Sequence, residues 1–352
     1  MAIILLDSFD HYTTTAEAQL KGWNLGAWQP VTGRFSGYGA QFGNGGGGWS
    51  DVSVSLPTLQ SSLVVGFALK WIANPVNFQF FQMKSATTWQ ILLSGNGSGK
   101  IKLNTEGATT TGTASIVAEA WNYIEVKVTT FSTTLGAVTV RVNGVDDIAV
   151  TGVNTNRAAT GTVSKVCFDG DYYGPTIFVV DDLYVCNTSG TANNDFMGDI
   201  RIEYLVPTAA GVRTQFAASS GSNWQAVDEI GASDTDYNSS NVPGAMDLFT
   251  MSDLAGNGLI RGVQTISRAK KDDAGYRKAV PVFRKASGLG ETARWYPGSK
   301  VPVGDAFSLL RMQVFETSPD TGAAWTVDEV NALQYGYAVG DAGMFTLDAK
   351  VV

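Results

Sequence analysis

A single histidine, His11, follows Phe9-Asp10 in this 352-residue chain, and it limits the nucleophilic chemistry open to the protein. A Ser/His/Asp relay would have to use it, because the imidazole is the base that takes the hydroxyl proton. No Gly-x-Ser-x-Gly elbow accompanies it, and at a strand end it reads as a surface or edge histidine. Glycosidic cleavage would instead need two carboxyl groups about 5–10 Å apart. The nearest candidates are Asp199 and Glu203, which share one face of the alternating run Asp199–Pro207 with Arg201. The arginine would pair with both acids, so that face reads as solvated. Asp146-Asp147, Asp181-Asp182 and Asp272-Asp273 are sequence neighbours expected to point to opposite strand faces or to lie in turns. No catalytic set emerges, and the expectation is a protein that is not an enzyme. Asp234-x-Asp236-x-Asn238 spaces oxygen ligands as a calcium loop does, but Ser239 and Ala245 stand where such a loop needs Gly and Glu. Gly43–Gly48 lacks the Gly-Lys-Ser/Thr of a phosphate loop and reads as a flexible connection. Neither a metal nor a cofactor is expected.

Binding residues are easier to nominate. Trp23, Trp28, Trp49 and Trp295 lie in loop-like surroundings and are the candidates for stacking on a sugar, against the alternative that they plug a core or subunit interface. Arg268, Lys270, Lys271, Arg277, Lys278, Arg284 and Lys285 flank the turn Asp272-Asp273-Ala274-Gly275. If its arms form a hairpin, the cations either protect a sheet edge or, through Arg277 and Lys278, dock an acidic neighbour. Cys167 and Cys186 fall on strands of one expected hairpin, too far apart in register for a disulfide, and are expected to be buried thiols.

The elements that position these residues read as β almost throughout. Forty glycines, abundant Thr, Ser and Val, and few runs of helix formers suit short strands and tight turns. Alternation marks strands at 62–71, 77–83, 88–93, 101–103, 121–128, 137–142, 164–168 and 176–185, with Asn143-Gly144 as a hairpin turn. Further strands are expected at 199–207, 247–250, 260–269 and 277–284. Near the C-terminus, Thr326 and Glu329 have capping-box spacing, predicting a short helix ending near Gly336 with Val330 and Leu333 facing a core. The small polar stretch from Thr191 divides the chain into domains 1–190 and 191–352. A net charge of -8 argues against a nucleic-acid partner. The start Met1–Asp7 lacks a basic n-region, and no apolar run is long enough to cross a membrane, so a soluble, non-exported chain is expected.

Two resemblances sharpen this. Asp7-Ser8-Phe9-Asp10, the Trp-x-Tyr-x-x-Val strand at 121–126, Val-Arg-Val-Asn-Gly before Val145 and Val-Asp-Asp-Leu-Tyr-Val at 180–185 look like a laminin-G or concanavalin-A-like jelly roll over most of residues 1–190. That implies two packed antiparallel sheets with the first and last strands adjacent. The stretches Asn223–Glu229, Asp234–Tyr237, Asp272–Gly275 and Pro319–Gly336 occur in the order seen in a family of tailed-phage virion structural proteins. This second resemblance implies a second β-sandwich in a non-enzymatic, tail-associated virion protein, assembled in the host cytoplasm in several copies with other virion proteins. Capsid decoration and a carbohydrate-binding host-adhesion module are the alternatives, the latter with a host surface glycan as partner.

Overall fold

The computed structural model describes residues 2–24, 28–35, 37–43, 50–72, 78–170, 177–231, 233–285, 294–298 and 300–340. Two compact units emerge, Met1–Ile202 and Glu203–Val352. The first carries β1 (Ile3–Asp7), α1 (Thr15–Leu20), β2 (Trp23–Asn24), β3 (Trp28–Thr32), β4 (Tyr38–Phe42), β5 (Ser50–Gln60), β6 (Leu63–Trp71) and β7 (Gln79–Ser85). It continues with β8 (Thr88–Gly95), β9 (Ile101–Thr105), β10 (Ala108–Thr111), β11 (Trp121–Thr130), β12 (Gly136–Val142), β13 (Val145–Val153), β14 (Val163–Gly170) and β15 (Phe178–Cys186).

These strands form an eight-stranded sheet, β13-β12-β11-β6-β15-β4-β3 with β1 on β15, and a seven-stranded sheet, β10-β9-β8-β7-β14-β5-β2. One core joins them. Phe67 of the first sheet stacks on Phe81 of the second at 5.1 Å and meets Phe168 edge-on at 5.1 Å. The first strand lies against the last, with Asp7 opposite Leu183, as the jelly-roll resemblance implies. Asn143 (φ 51°) and Gly144 (φ 80°) make the expected tight turn between β12 and β13, whose two left-handed residues match the strand twist.

The sequence reading differs from the fold in three places here. β14 and β15 do not form a hairpin: they lie in different sheets, and both cysteines are nevertheless buried thiols outside any disulfide. α1 was not expected, although Glu17 accepts from the amides of Thr13 (2.6 Å) and Thr14 (3.1 Å) as a capping acid does. The unit boundary lies after Ile202 rather than near residue 190, because residues 195–202 are fastened to the eight-stranded sheet, as described below.

The second unit carries β16 (Pro207–Thr214), β17 (Ala217–Ala218), β18 (Asn238–Ser239), β19 (Met246–Met251), β20 (Val263–Ala269), β21 (Arg277–Lys285), β22 (Arg294–Pro297), β23 (Val301–Val303), β24 (Ser308–Phe315), α2 (Val327–Asn331) and β25 (Leu333–Gly340). A six-stranded sheet, β16-β19-β25-β21-β22 with β23 also on β21, stands beside the pairs β20-β24 and β17-β18. Phe283 of β21 meets Tyr335 of β25 and Phe315 of β24 edge-on, each at 4.7 Å, so the β20-β24 pair packs on one face of the large sheet. Trp325, Val330 and Leu333 close this core, and Thr326 caps α2 by accepting from the Glu329 amide at 3.2 Å. The helix stops at Asn331, and Gly336 lies inside β25, where a Cβ would come within 1.9 Å of the Asp247 carbonyl oxygen. The chain is all-β, with two short helices among the described residues.

Candidate functional site

On the outer face of the eight-stranded sheet, a bulge in β15 gathers ionisable groups that strict alternation would separate. Asp181 pairs with Ala68 and Tyr184 with Gly66, leaving one extra residue on β15, and Asp182 adopts φ 49°. Asp181 and Asp182 therefore do not simply point to opposite faces; both are buried and interact with each other. The Asp181 carboxylate accepts from the amides of Arg34 (2.7 Å) and Asp182 (2.8 Å). Gly66 has no Cβ, which leaves room for the Tyr184 ring. The Tyr184 hydroxyl donates to Glu125 Oε1 at 2.5 Å and accepts from the Met197 amide at 3.1 Å.

Residues 195–202 cross this face and occupy its acceptors. Gly198 N donates to Glu125 Oε1 (2.9 Å) and Ile202 N to Asp182 Oδ1 (2.7 Å). Asp199 forks onto the Arg34 guanidinium with two 2.6 Å bonds, and Asp195 pairs with Lys127 at 2.8 Å. Phe196 lies under Lys127 and Arg141, 4.7 and 4.0 Å from its ring centroid. The expected strand 199–207 is accordingly absent before Pro207: its alternating polar residues serve as anchors, and Glu203 binds the amides of Ala255 and Gly256 instead of facing solvent beside Asp199.

Burial, with Asp182 beside it, pushes Asp181 up to about 8; burial likewise pushes Asp182 and Asp10 up to about 6, from an ordinary 3.8. Between about pH 4 and 8 the folded chain thus retains protons that the unfolded chain has released, and stability falls as pH rises. The melting temperature of the first unit is expected to drop between about pH 4 and 8, and Asp181→Asn to flatten that slope. A slope unchanged by the substitution would assign the titration elsewhere.

A second buried cluster lies at the end of β1. Lys21, which follows α1, pairs with Asp7 at 3.1 Å, and both side chains are fully buried. The Asp7 carboxylate also accepts from Tyr12 OH and Trp23 Nε1, each at 2.8 Å. Burial alone would raise the Asp7 pKa; the Lys21 ammonium, His11 and the Trp23 and Tyr12 hydrogen bonds outweigh it and hold the group near 2. His11 is therefore not a surface histidine. It is buried, with Nε2 3.2 Å from Lys21 Nζ and its ring 4.1 Å from that of Tyr12. Trp23 and Trp28 are corrected with it. They are 3% and 7% exposed, sit on strands, and pack on Phe9 at 5.6 and 6.4 Å, so neither offers an open face to a sugar. Trp49 lies outside the described residues, and Trp295 stands opposite Arg284 in the β22-β21 ladder.

The outer face of the seven-stranded sheet is different in kind. Phe81, Met83, Ile91, Leu93, Leu103, Val166 and Phe168 turn inward to the core. The alternate residues form a transverse row in direct register, Ser53-Cys167-Gln82-Leu92-Asn104-Thr109. Beside it Lys165 faces Lys84, and Lys102 faces Ser94 and Thr111. Asn104 donates to Ser94 Oγ and accepts from Thr109 Oγ1, both at 3.0 Å, and Gln82 Nε2 donates to Gln79 Oε1 at 3.3 Å. Amide, hydroxyl and ammonium groups thus line one face, half-buried toward β9 and more deeply buried toward β7. The sequence reading named neither Gln82 nor Asn104 as a binding residue, because polar residues alternating with core ones mark a strand but not what its outer face does.

In the second unit, the turn at Asp272–Gly275 does not join a hairpin, because β20 pairs with β24 while β21 lies inside the large sheet. Its cations are matched within the chain: Arg268 with Asp234 (2.7 Å), Lys271 with Asp305 (2.8 Å), Arg277 with Asp273 (2.5 Å) and Lys285 with Asp320 (2.5 Å). Lys278 lies over the Tyr276 ring at 5.2 Å. Asp236 accepts from Ser219 and Ser220, and Asn238 donates to Asn223 O and Tyr337 OH, so the expected calcium spacing converges on no common point. Among the described residues, no group of three or more His, Cys, Asp or Glu side chains is arranged to hold a metal ion.

No family model and no curated protein matches the chain. Solved structures similar to it include a sialidase, with TM-score 0.41 and 13% identity over 52% of this chain but 18% of that one. They also include an endo-β-1,4-glucuronan lyase from the fungus Trichoderma reesei, with TM-score 0.38 and 12% identity over 47% and 92%. A third is a carbohydrate esterase from Shiga toxin-encoding bacteriophage phi24B, with TM-score 0.39 and 12% identity over 52% and 97%. Alginate lyase and peanut lectin occur among the others. The likeness is one of fold and spans about half of this chain. It corrects one expectation: most of these structures are enzymes, so the reading of the chain as a non-enzyme does not stand.

Proposed function

We propose that this chain is a carbohydrate-engaging component of a tailed-phage particle and that a glycan binds on the outer face of the seven-stranded sheet. The accessible β9-β10 end of the transverse row, Asn104 and Thr109 with Lys102 beside them, carries the reading. Side-chain amides and hydroxyls both donate and accept, which suits sugar hydroxyls, and a row built on adjacent strands is preorganised. The equivalent face of the eight-stranded sheet is taken up by residues 195–202. The particle half of the proposal rests on the second unit's sequence resemblance, with a tail location and other virion proteins as neighbours.

Purified chain should bind a subset of host envelope glycans on an array. Asn104→Ala should weaken that binding roughly tenfold, the scale of one or two lost hydrogen bonds, with little change in melting temperature. Reducing-end release from the bound polysaccharide reads cleavage in the same assay. Antibody labelling of intact particles tests the location, and tails without label would remove that part of the reading.

A further inference from the structure

The cluster at the end of β1 has the parts of a self-condensing amine and acid. Lys21 Nζ lies 3.1 Å from Asp7 Oδ1, 3.2 Å from Leu6 O and 3.2 Å from His11 Nε2. Those three acceptors match the three protons of an ammonium. On the acid, Oδ2 accepts from both Tyr12 OH and Trp23 Nε1, two fixed donors on the oxygen where charge would gather if a nucleophile added to Cγ. Water is excluded, since both partners are fully buried. A buried ion pair carries a large desolvation penalty, and a neutral amide at the same place does not.

We propose that Lys21 and Asp7 condense into an intramolecular isopeptide bond, with His11 as the base that takes a proton from the nitrogen as the bond forms. The resting form is the ion pair. One proton crosses the 3.1 Å contact from the Lys21 ammonium to Asp7 Oδ1, so the neutral amine adds to Cγ of a neutral acid and places negative charge on the oxygen held by Tyr12 and Trp23, while His11 Nε2 takes a second proton from the nitrogen and passes it to Oδ1. Breakdown of the tetrahedral centre expels Oδ1. Of the three protons that began on Nζ, one remains on the amide nitrogen and two leave on Oδ1 as water. His11 returns to neutral, and no oxidant, reductant or co-reactant is needed. The product ties β1 to the end of α1, fixing the strand that pairs with β15.

Intact mass spectrometry of the full chain, held folded at neutral pH, is the test. The expected result is a mass lower than that of the sequence by one water, about 18 Da, together with a branched peptide joining residues 7 and 21 after digestion. Lys21→Met should restore the full mass, and His11→Ala should leave most of the chain uncondensed over the same period. Wild-type chain at its full mass with no branched peptide would overturn the proposal, as would a deficit that persists in Lys21→Met. Condensation at an unchanged rate in His11→Ala would remove the histidine from the step. The wild-type measurement needs no variant to fold.

Discussion

Replacing Lys21 with methionine is expected to lower the stability of the first unit by about 3–5 kcal/mol relative to chain still in the ion-paired form, the range seen when one partner of a buried ion pair is removed. The volume is nearly conserved, so the loss is electrostatic rather than a packing defect. Asp7 would be left buried with neutral donors from Tyr12, Trp23 and the Phe9 amide, and without the ammonium that opposes the burial penalty. The pH dependence identifies the cause. In the ion-paired chain, before any condensation, the Asp7 pKa is held near 2, so its contribution is complete above the ordinary 3.8 and is lost as pH falls toward 2. In Lys21→Met the folded pKa rises instead, so the variant should gain stability relative to the ion-paired chain as pH is lowered. Urea unfolding of the full chain, followed by tryptophan fluorescence, would measure both effects. A second change, Asp7→Asn, should recover part of the loss in Lys21→Met, because the unpaired charge is then gone. A variant as stable as wild type at pH 7 would mean the pair contributes little beyond its own desolvation.

This cluster shows where the sequence stopped being legible. Alternation located β6–β9, β11, β12, β14, β15, β19 and β21 closely, because a half-buried strand must repeat every two residues, but it did not reveal β4, β5 or β10. The Asn143-Gly144 turn and the Thr326 cap were visible for equally local reasons. Pairing across the sheets was not. Phe178–Cys186 is buried on both faces, so alternation could not show that β15 leaves its sequence neighbour β14 and joins β1, β4 and β6. Lys21 was missed because nothing local marks a lysine as buried: its partners stand 14 and 10 residues away and meet it only through α1 and the sheet edge. Trp23 and Trp28 looked like loop residues because β2 and β3 are too short and irregular to alternate. Asp199–Pro207 alternated as a strand does, yet its polar residues answer to Arg34, Asp182 and backbone amides distant in sequence. The glycan-binding row proposed above was not legible, because its residues come from separate strands and only the register of the paired strands brings them together.

Gly66→Ala tests the clamp on residues 195–202 most sharply, and its expected cost is about 3 kcal/mol. A Cβ at this position would lie 2.1 Å from Tyr184 Cε1, a separation that requires either the ring or β6 to move. β6 is hydrogen-bonded on both sides, to β11 and β15, so the ring must give way. Its hydroxyl is held between Glu125 Oε1 and the Met197 amide, and displacement of the ring breaks both bonds at once. Glu125 then loses its closest donor inside a buried site, and the amides of Met197 and Gly198 lose a fixed acceptor arrangement. Amide exchange at Met197, Gly198 and Ile202 should therefore accelerate well before the β6 and β11 amides respond, since local release needs less free energy than unfolding the sandwich. The double variant Gly66→Ala with Tyr184→Leu separates the two contributions. Removing the ring relieves the clash and should recover part of the stability, while exchange at Met197 stays fast because no hydroxyl remains to accept its proton. If exchange in the double variant returned to the wild-type rate, packing rather than the Tyr184 hydrogen bonds would hold the segment, and the clamp would have to reside in the Arg34-Asp199 fork and the Ile202-Asp182 bond.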